Sequence, residues 1–272
     1  MSAMQPSNLT VDKIRNMLKE EKRFDGRGLL DHREIEIDYD VSNKAEGAAR
    51  VRIGKTEVLA GVKLALAEPY PDSPDKGNLI VSGDLLPLAS PRFEMGPPRF
   101  PAIELPRVVD RGIRESGMIE FEKLVVTPGE KVWTVFIDLY PINDDGNLMD
   151  AATIATIAAL KKTVFPEVDK DGNVDYTKRT SKGLPLSKET APIGITFYKF
   201  GESLVLDPTR EEEEASDVRI TFGVSKWNKQ VMINSSQKSR GNIPFTQEEI
   251  EKMMEILPKK FEELDKKLKK AF

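Results

Sequence analysis

The sequence predicts an α+β fold made of two related halves. Strand-like patterning, with β-branched residues alternating with polar ones, fills two separate stretches, about 35–142 and 193–234. Each stretch closes on a segment of helical period, at about 148–163 and from Thr246 onward. Strands come in runs followed by helices, so mixed sheets with packed helices fit the order better than a doubly wound parallel fold. No internal repeat is visible in the sequence.

The elements follow in order. Residues 10–22 read as a helix with Thr10 as its cap and Val11, Ile14, Met17 and Leu18 as its apolar stripe. Strands are expected at 35–41, 48–53 and 57–66, and again at 79–83. The stretch 85–101 holds five prolines and reads as an irregular loop. Such a loop inside a compact domain is often functional, and this one carries Arg92 and Arg99. A helix at about 103–116, strands at 120–127 and 132–142, and an alanine-rich helix at 148–163 complete the first half. Residues 166–190 are polar, break periodicity and read as a connector. The second half has strands at 193–200, 203–207, 218–225 and 230–234. Its final helix opens on the capping-box match Thr246-Gln-Glu-Glu249. Ile250, Met254, Leu257, Phe261, Leu264 and Leu268 form its stripe, and Pro258 should kink it.

Composition narrows the chemistry. The chain has 272 residues, 39% hydrophobic and 32% charged, with a net charge of −4. A core is easily built from this material. A generally basic nucleic-acid protein is not indicated, so any anion site is a local patch. The absence of cysteine removes disulfides, thiolate metal sites and cysteine nucleophiles. The single histidine, His32, lies in a polar run and reads as a surface residue. No apolar run approaches a membrane span and no signal peptide is visible, so a cytoplasmic location is expected.

Three arginines stand out. Arg107, Arg111 and Arg114 are spaced four and three residues apart. At about 100° per residue they share an arc of roughly 60° on a helix. Leu105, Val108, Val109 and Ile113 fall on the other side, so the helix would pack on the body and aim three guanidiniums outward. Fixed cations on one stripe make most sense facing an anion, and the planar fork of arginine fits phosphate. A solvated face partly neutralised by Asp110 and Glu115 accounts for the spacing equally well.

Other motifs carry less. Gly54-Lys-Thr56 resembles the end of a phosphate-binding loop, but the required upstream glycine position is Ala49, and a hairpin turn fits better. The stretch 207–217 concentrates six carboxylates. It could hold a hard cation such as Mg²⁺, although a solvated acidic loop is the better reading. The segment 144–152 joins a strand to a helix N-terminus, a position that favours anions. Its turn offers Leu148 and Met149 with no hydroxyl or arginine, so Asn147 or Asp150 reads as a helix cap instead.

Several segments together resemble one family. Arg23-Phe-Asp-Gly-Arg27 resembles the opening motif of the RNase PH superfamily, and Ala48-Ala-Arg-Val-Arg-Ile-Gly-Lys-Thr-Glu-Val-Leu-Ala60 resembles its first hairpin. Arg107-Val-Val-Asp-Arg-Gly-Ile-Arg-Glu-Ser116 and Leu206-Asp-Pro-Thr-Arg-Glu-Glu-Glu213 are similar to the branch of non-catalytic RNase PH-like subunits of the archaeal exosome ring. The resemblance covers the whole chain. It implies an RNase PH-like fold of two pseudo-symmetric β-α halves, about 24–165 and 191–272, forming a single domain over 1–272 with the connector between them. It implies a ring of three heterodimers with a catalytic RNase PH-like partner, capped by RNA-binding subunits and degrading single-stranded RNA from its 3′ end. No cofactor would be bound by this chain, while Mg²⁺ and inorganic phosphate would serve the assembled complex. Catalytic members carry Ser or Thr followed by Arg where this chain has Leu148 and Met149, and they place an acidic pair where it has Glu213 and Asp217. The resemblance therefore implies lost phosphorolysis, with Arg107, Arg111 and, more weakly, Arg114 holding RNA. The alternative is a divergent metal-dependent phosphorolytic enzyme that uses Glu213 and Asp217, with Arg92 or Arg99 as the phosphate contact.

Overall fold

The computed structural model describes residues 7–169, 173–187 and 191–271. Helix α1 (Asn8–Lys19) is capped by the Ser7 side chain, which accepts from the Thr10 backbone N–H at 3.2 Å. The cap is thus Ser7, three residues ahead of Thr10.

The first sheet begins as the antiparallel run β1 (Ile35–Tyr39), β2 (Gly47–Ile53) and β3 (Thr56–Ala67). Gly54 and Lys55 make the hairpin turn, with Gly54 at φ 58°, so the phosphate-loop resemblance dissolves into turn chemistry. Strand β4 (Asn78–Gly83) follows, and after the proline-rich loop comes helix α2 (Phe100–Ser116). This helix starts three residues earlier than the periodicity suggests, with Pro101 in its first turn, where no N–H is needed. It also accommodates Pro106 in its interior. A 3₁₀ turn at Phe121–Leu124 leads to β5 (Val125–Thr127) and the long β6 (Lys131–Asn143). The sheet order is β1-β2-β3-β6-β4; β4 runs parallel to β6, and every other pairing is antiparallel.

Helix α3 (Leu148–Lys162) is buried on every face from Leu148 to Leu160. A helix with no polar side must lie inside the molecule. It packs on β2 and β3 below and on the second sheet above, and Ala151, Ala152, Ala155, Ala158 and Ala159 let it approach closely. Strands β7 (Val164–Val168) and β8 (Val174–Gly183) follow as an antiparallel pair. They occupy most of the segment read as a connector. The side chains of β8 are largely exposed, so no apolar alternation marked it as a strand.

The second sheet is antiparallel throughout, ordered β10-β9-β11-β12. It comprises β9 (Ile193–Phe200), β10 (Ser203–Leu206), β11 (Val218–Trp227) and β12 (Gln230–Ser239). All eight residues of β9 are buried. Between β10 and β11 lies a short helix, α4 (Arg210–Ala215), inside the acidic stretch. Thr209 and Glu212 close it with a full capping box. The expectation of a solvated acidic loop is thus corrected: Asp207, Glu212 and Glu213 are buried and paired. Helix α5 (Gln247–Ala271) has the predicted capping box, with Thr246 N–H donating to Glu249 at 2.8 Å and Glu249 N–H to Thr246 Oγ1 at 3.2 Å. It runs through Pro258 and buries Leu257, Phe261, Leu264 and Leu268 of the expected stripe together with Met253, while Ile250 and Met254 pack half-buried against the core. A smaller core joins Ile14 and Leu18 of α1 to Tyr198, Phe200, Val205 and Ala215.

His32 is half-buried, with its ring turned inward. Both ring nitrogens are buried without a hydrogen-bond partner, and burial pulls its pKa down to about 4. It is neutral at pH 7. Among the described residues, no helix is long and apolar enough to cross a membrane.

Candidate nucleic-acid interface

Helix α2 packs as its period requires. Leu105, Val109 and Ile113 are buried and Val108 is half-buried, while Arg107, Arg111 and Arg114 are exposed on the opposite side. The helix lies against β4, β11, β12 and α3. Gly223 of β11 lies under the helix at Gly112, and a Cβ there would come within 2.5 Å of Ser235 Oγ on β12.

A groove of about 680 Å³ runs between α2 and the second sheet. All three arginines line its helix wall, and Thr221, Ser235, Ser236 and Gln237 line the strand wall. The arginines are not equivalent. Arg114 is held by Asp110 at 2.8 Å and donates to the Leu79 carbonyl at 3.1 Å. Arg107 and Arg111 have no ion pair or side-chain hydrogen bond within the described residues. Two guanidiniums without an ion pair therefore face a groove whose other wall offers hydroxyl and amide groups, with Glu104, Asp110 and Glu115 also on the helix side. Sequence periodicity could not reveal Ser235, Ser236 and Gln237, because only strand pairing brings β12 alongside α2.

The N-terminus of α3 is where a phosphate would be expected. Asn147 occupies its cap position in the left-handed region (φ 58°), without a side-chain cap bond. Its backbone N–H donates to Glu213 at 2.8 Å, so a carboxylate of the chain itself fills the anion position. The Asn147 side-chain amide instead donates to Asp150 at 3.0 Å and Asp207 at 2.9 Å. The expected capping role of Asn147 or Asp150 is replaced by this bridge. The two carboxylates it joins behave oppositely. Burial raises Asp150 to about 7 despite its hydrogen bonds from Thr196 and Asn147. Burial also pushes Asp207 up, but the Arg33 guanidinium, at 2.7 and 2.9 Å, overcomes this and holds it at about 2.

Leu148 and Met149 are buried and line a second cavity, of about 280 Å³, with Glu213. Burial disfavours the charged form of Glu213, yet Arg92 and Arg219 hold its pKa below the usual range. Asp217 lies elsewhere: it takes an ion pair from Arg15 at 2.6 Å and an N–H from Gly201 at 2.7 Å. Glu213 and Asp217 thus share no partner and form no acidic pair. Arg92 is committed to Asp144 at 2.8 Å, and Arg99 pairs with Glu94. Among the described residues no group of three acidic or histidine side chains is placed to hold a metal ion. The carboxylates of the acidic stretch are divided among separate guanidiniums.

The Arg23–Arg27 motif explains part of that division. Arg23 is fully buried, chelating Glu212 at 2.5 and 3.0 Å and donating to the carbonyls of Leu206 and Asp207. Arg27 reaches Asp207 at 3.0 Å. The opening motif therefore clamps the second half to the segment that precedes the first sheet.

A two-half β-α scaffold with α3 at its centre, an arginine groove and a filled phosphate position defines an RNase PH-like protein without the phosphate cradle. Models of the 3′ exoribonuclease family match the chain at residues 31–166 for domain 1 and 190–256 for domain 2. The chain belongs to this family. It is 46% identical to the exosome complex component Rrp42 of Pyrococcus furiosus, over 94% of this chain and 91% of that one. It is 42% identical to the Rrp42 component of Methanosarcina mazei, over 97% and 91%. A chain of the Archaeoglobus fulgidus exosome with RNA bound to the active site superposes with a TM-score of 0.81 at 40% identity, covering 92% of this chain and 93% of that one. A chain of an archaeal exosome core gives 0.82 at 35% identity, covering 96% and 97%.

Proposed function

We propose that this chain is a non-catalytic subunit of a hexameric 3′-to-5′ exoribonuclease ring, the exosome. It scaffolds a catalytic RNase PH-like partner in three alternating heterodimers beneath RNA-binding cap subunits. Its own contact with substrate is made by Arg107 and Arg111, which hold phosphates of single-stranded RNA, with Arg114 in a lesser role. Mg²⁺ and inorganic phosphate serve the partner's active site, and the complex works in the cytoplasm. The observation that carries this reading is the contrast between two anion positions. The groove keeps Arg107 and Arg111 unpaired, whereas the α3 N-terminus has been filled by Glu213. Phosphoryl transfer needs prepositioned donors for phosphate, and losing them costs orders of magnitude in rate. A surface that only holds a strand needs cations without such a cradle.

The test is binding of single-stranded RNA by the assembled complex at low salt. Arg107→Glu with Arg111→Glu should weaken binding strongly while leaving the complex intact by size-exclusion chromatography. Unchanged affinity would remove the arginines from the RNA path. The purified chain alone should release no nucleoside diphosphate from oligo(A) in phosphate and Mg²⁺.

A further inference from the structure

The cavity lined by Leu148 and Met149 opens beside the arginine groove. Phe100 and Glu104 line both. Phe100 is 63% exposed at the start of α2, although a large aromatic ring normally seeks cover. It lies seven residues before Arg107, which places both on one face of the helix about 10 Å apart along its axis. Behind Phe100 one side of the cavity is apolar, formed by Phe93, Leu105, Leu148 and Met149, while Arg92, Glu213, Arg219 and Arg240 line the rest. Two polar atoms of its lining are buried without a partner among the described residues: Arg92 Nε, and Oε1 of Glu104, a residue 6% exposed whose Oε2 accepts from Arg219 at 2.5 Å. A buried carboxylate oxygen without a donor is costly.

A slot with an apolar side, an aromatic lip and one vacant carboxylate acceptor, next to two free guanidiniums, matches a nucleobase and its strand. Proteins that hold single strands combine a cationic track with an aromatic face on which bases stack. At about 280 Å³ the cavity is large enough to take one base. We propose that this cavity is a base-binding subsite, in which Phe100 stacks one base of the RNA strand and Glu104 Oε1 accepts an N–H from it. The inference rests on the reading of Arg107 and Arg111 as phosphate contacts.

The experiment uses the assembled complex and a single-stranded oligo(A) carrying one 2-aminopurine, read by fluorescence and by equilibrium affinity. Phe100→Ala should lower affinity roughly 5- to 100-fold, as loss of one stacked base does, and should relieve quenching of the reporter. Phe100→Trp should retain both signals, and Phe100→Leu, which keeps apolar area but no ring, should behave like alanine. Leu148→Trp, which fills the slot from behind, should act in the same direction. If Phe100→Ala and Phe100→Leu bind like wild type while Arg107→Glu with Arg111→Glu does not, the subsite is wrong and the arginine reading stands. If the arginine variant also binds normally, the underlying reading fails.

Discussion

Arg107, Arg111 and Arg114 share a helix face, yet only two are free to take a phosphate. Each free guanidinium that contacts a phosphate should contribute about 0.7 to the slope of log affinity against log salt for a single strand. Arg107→Ala and Arg111→Ala should each flatten that slope by about this amount in a salt titration of RNA binding. Arg114→Ala should change it less, because Asp110 already neutralises that charge. Asp207 sets a pH dependence. Its folded pKa, about 2, lies below the ordinary 3.8, so the ionised carboxylate stabilises the fold above pH 3.8. That contribution drains as pH falls from about 4 toward 2. Asp207→Asn should lower the melting temperature at pH 7 and flatten its dependence on pH within that window. The arginines were legible because 3.6-residue periodicity applies to any helix. The ion pairs of Asp207 were not, since Arg27, Arg33 and Asn147 reach it from positions far away in sequence.

Helix α3 shows how an element's setting follows from composition. Its alanines allow strands on two sides to approach, and the tightest contact lies at its end. A Cβ on Gly47 of β2 would come within 2.2 Å of Thr163 Oγ1 and 2.5 Å of the Ala159 carbonyl. Gly47→Ala should therefore destabilise the chain by about 1–3 kcal/mol, the usual cost of overpacking, measured by denaturant unfolding. Helix α4 depends on its cap. Thr209→Ala removes one half of the capping box and should cost about 1 kcal/mol. The terminal helices and most strands were readable from alternation and caps. The elements misread were β8, whose faces are both largely exposed, α4, whose acidic residues are buried by arginines that the local pattern does not contain, and the stretch 120–127, expected as one strand but opening on the 3₁₀ turn Phe121–Leu124.

At the scale of the whole molecule, lost catalysis is more than two missing side chains. Restoring Ser at Leu148 and Arg at Met149 should not yield phosphorolysis by the chain alone. Glu213 still holds the Asn147 N–H, and Asp217 stays tied to Arg15. Absence of nucleoside diphosphate from the double variant, assayed with oligo(A), phosphate and Mg²⁺, is the expected outcome. By itself the sequence determined the α+β class, the order of most elements, the arginine face and the hydrophobic residues at the cradle, because these depend on local period and residue chemistry. Only the tertiary structure decided which charges are free. Pairing between groups distant in the chain leaves Arg107 and Arg111 available, commits Arg92 and Arg114, and turns an acidic run into a set of buried ion pairs. Only tertiary structure could also place β12 opposite α2 and Phe100 at the mouth of the cavity lined by Leu148 and Met149, since a groove exists only once two sheets have closed around α3.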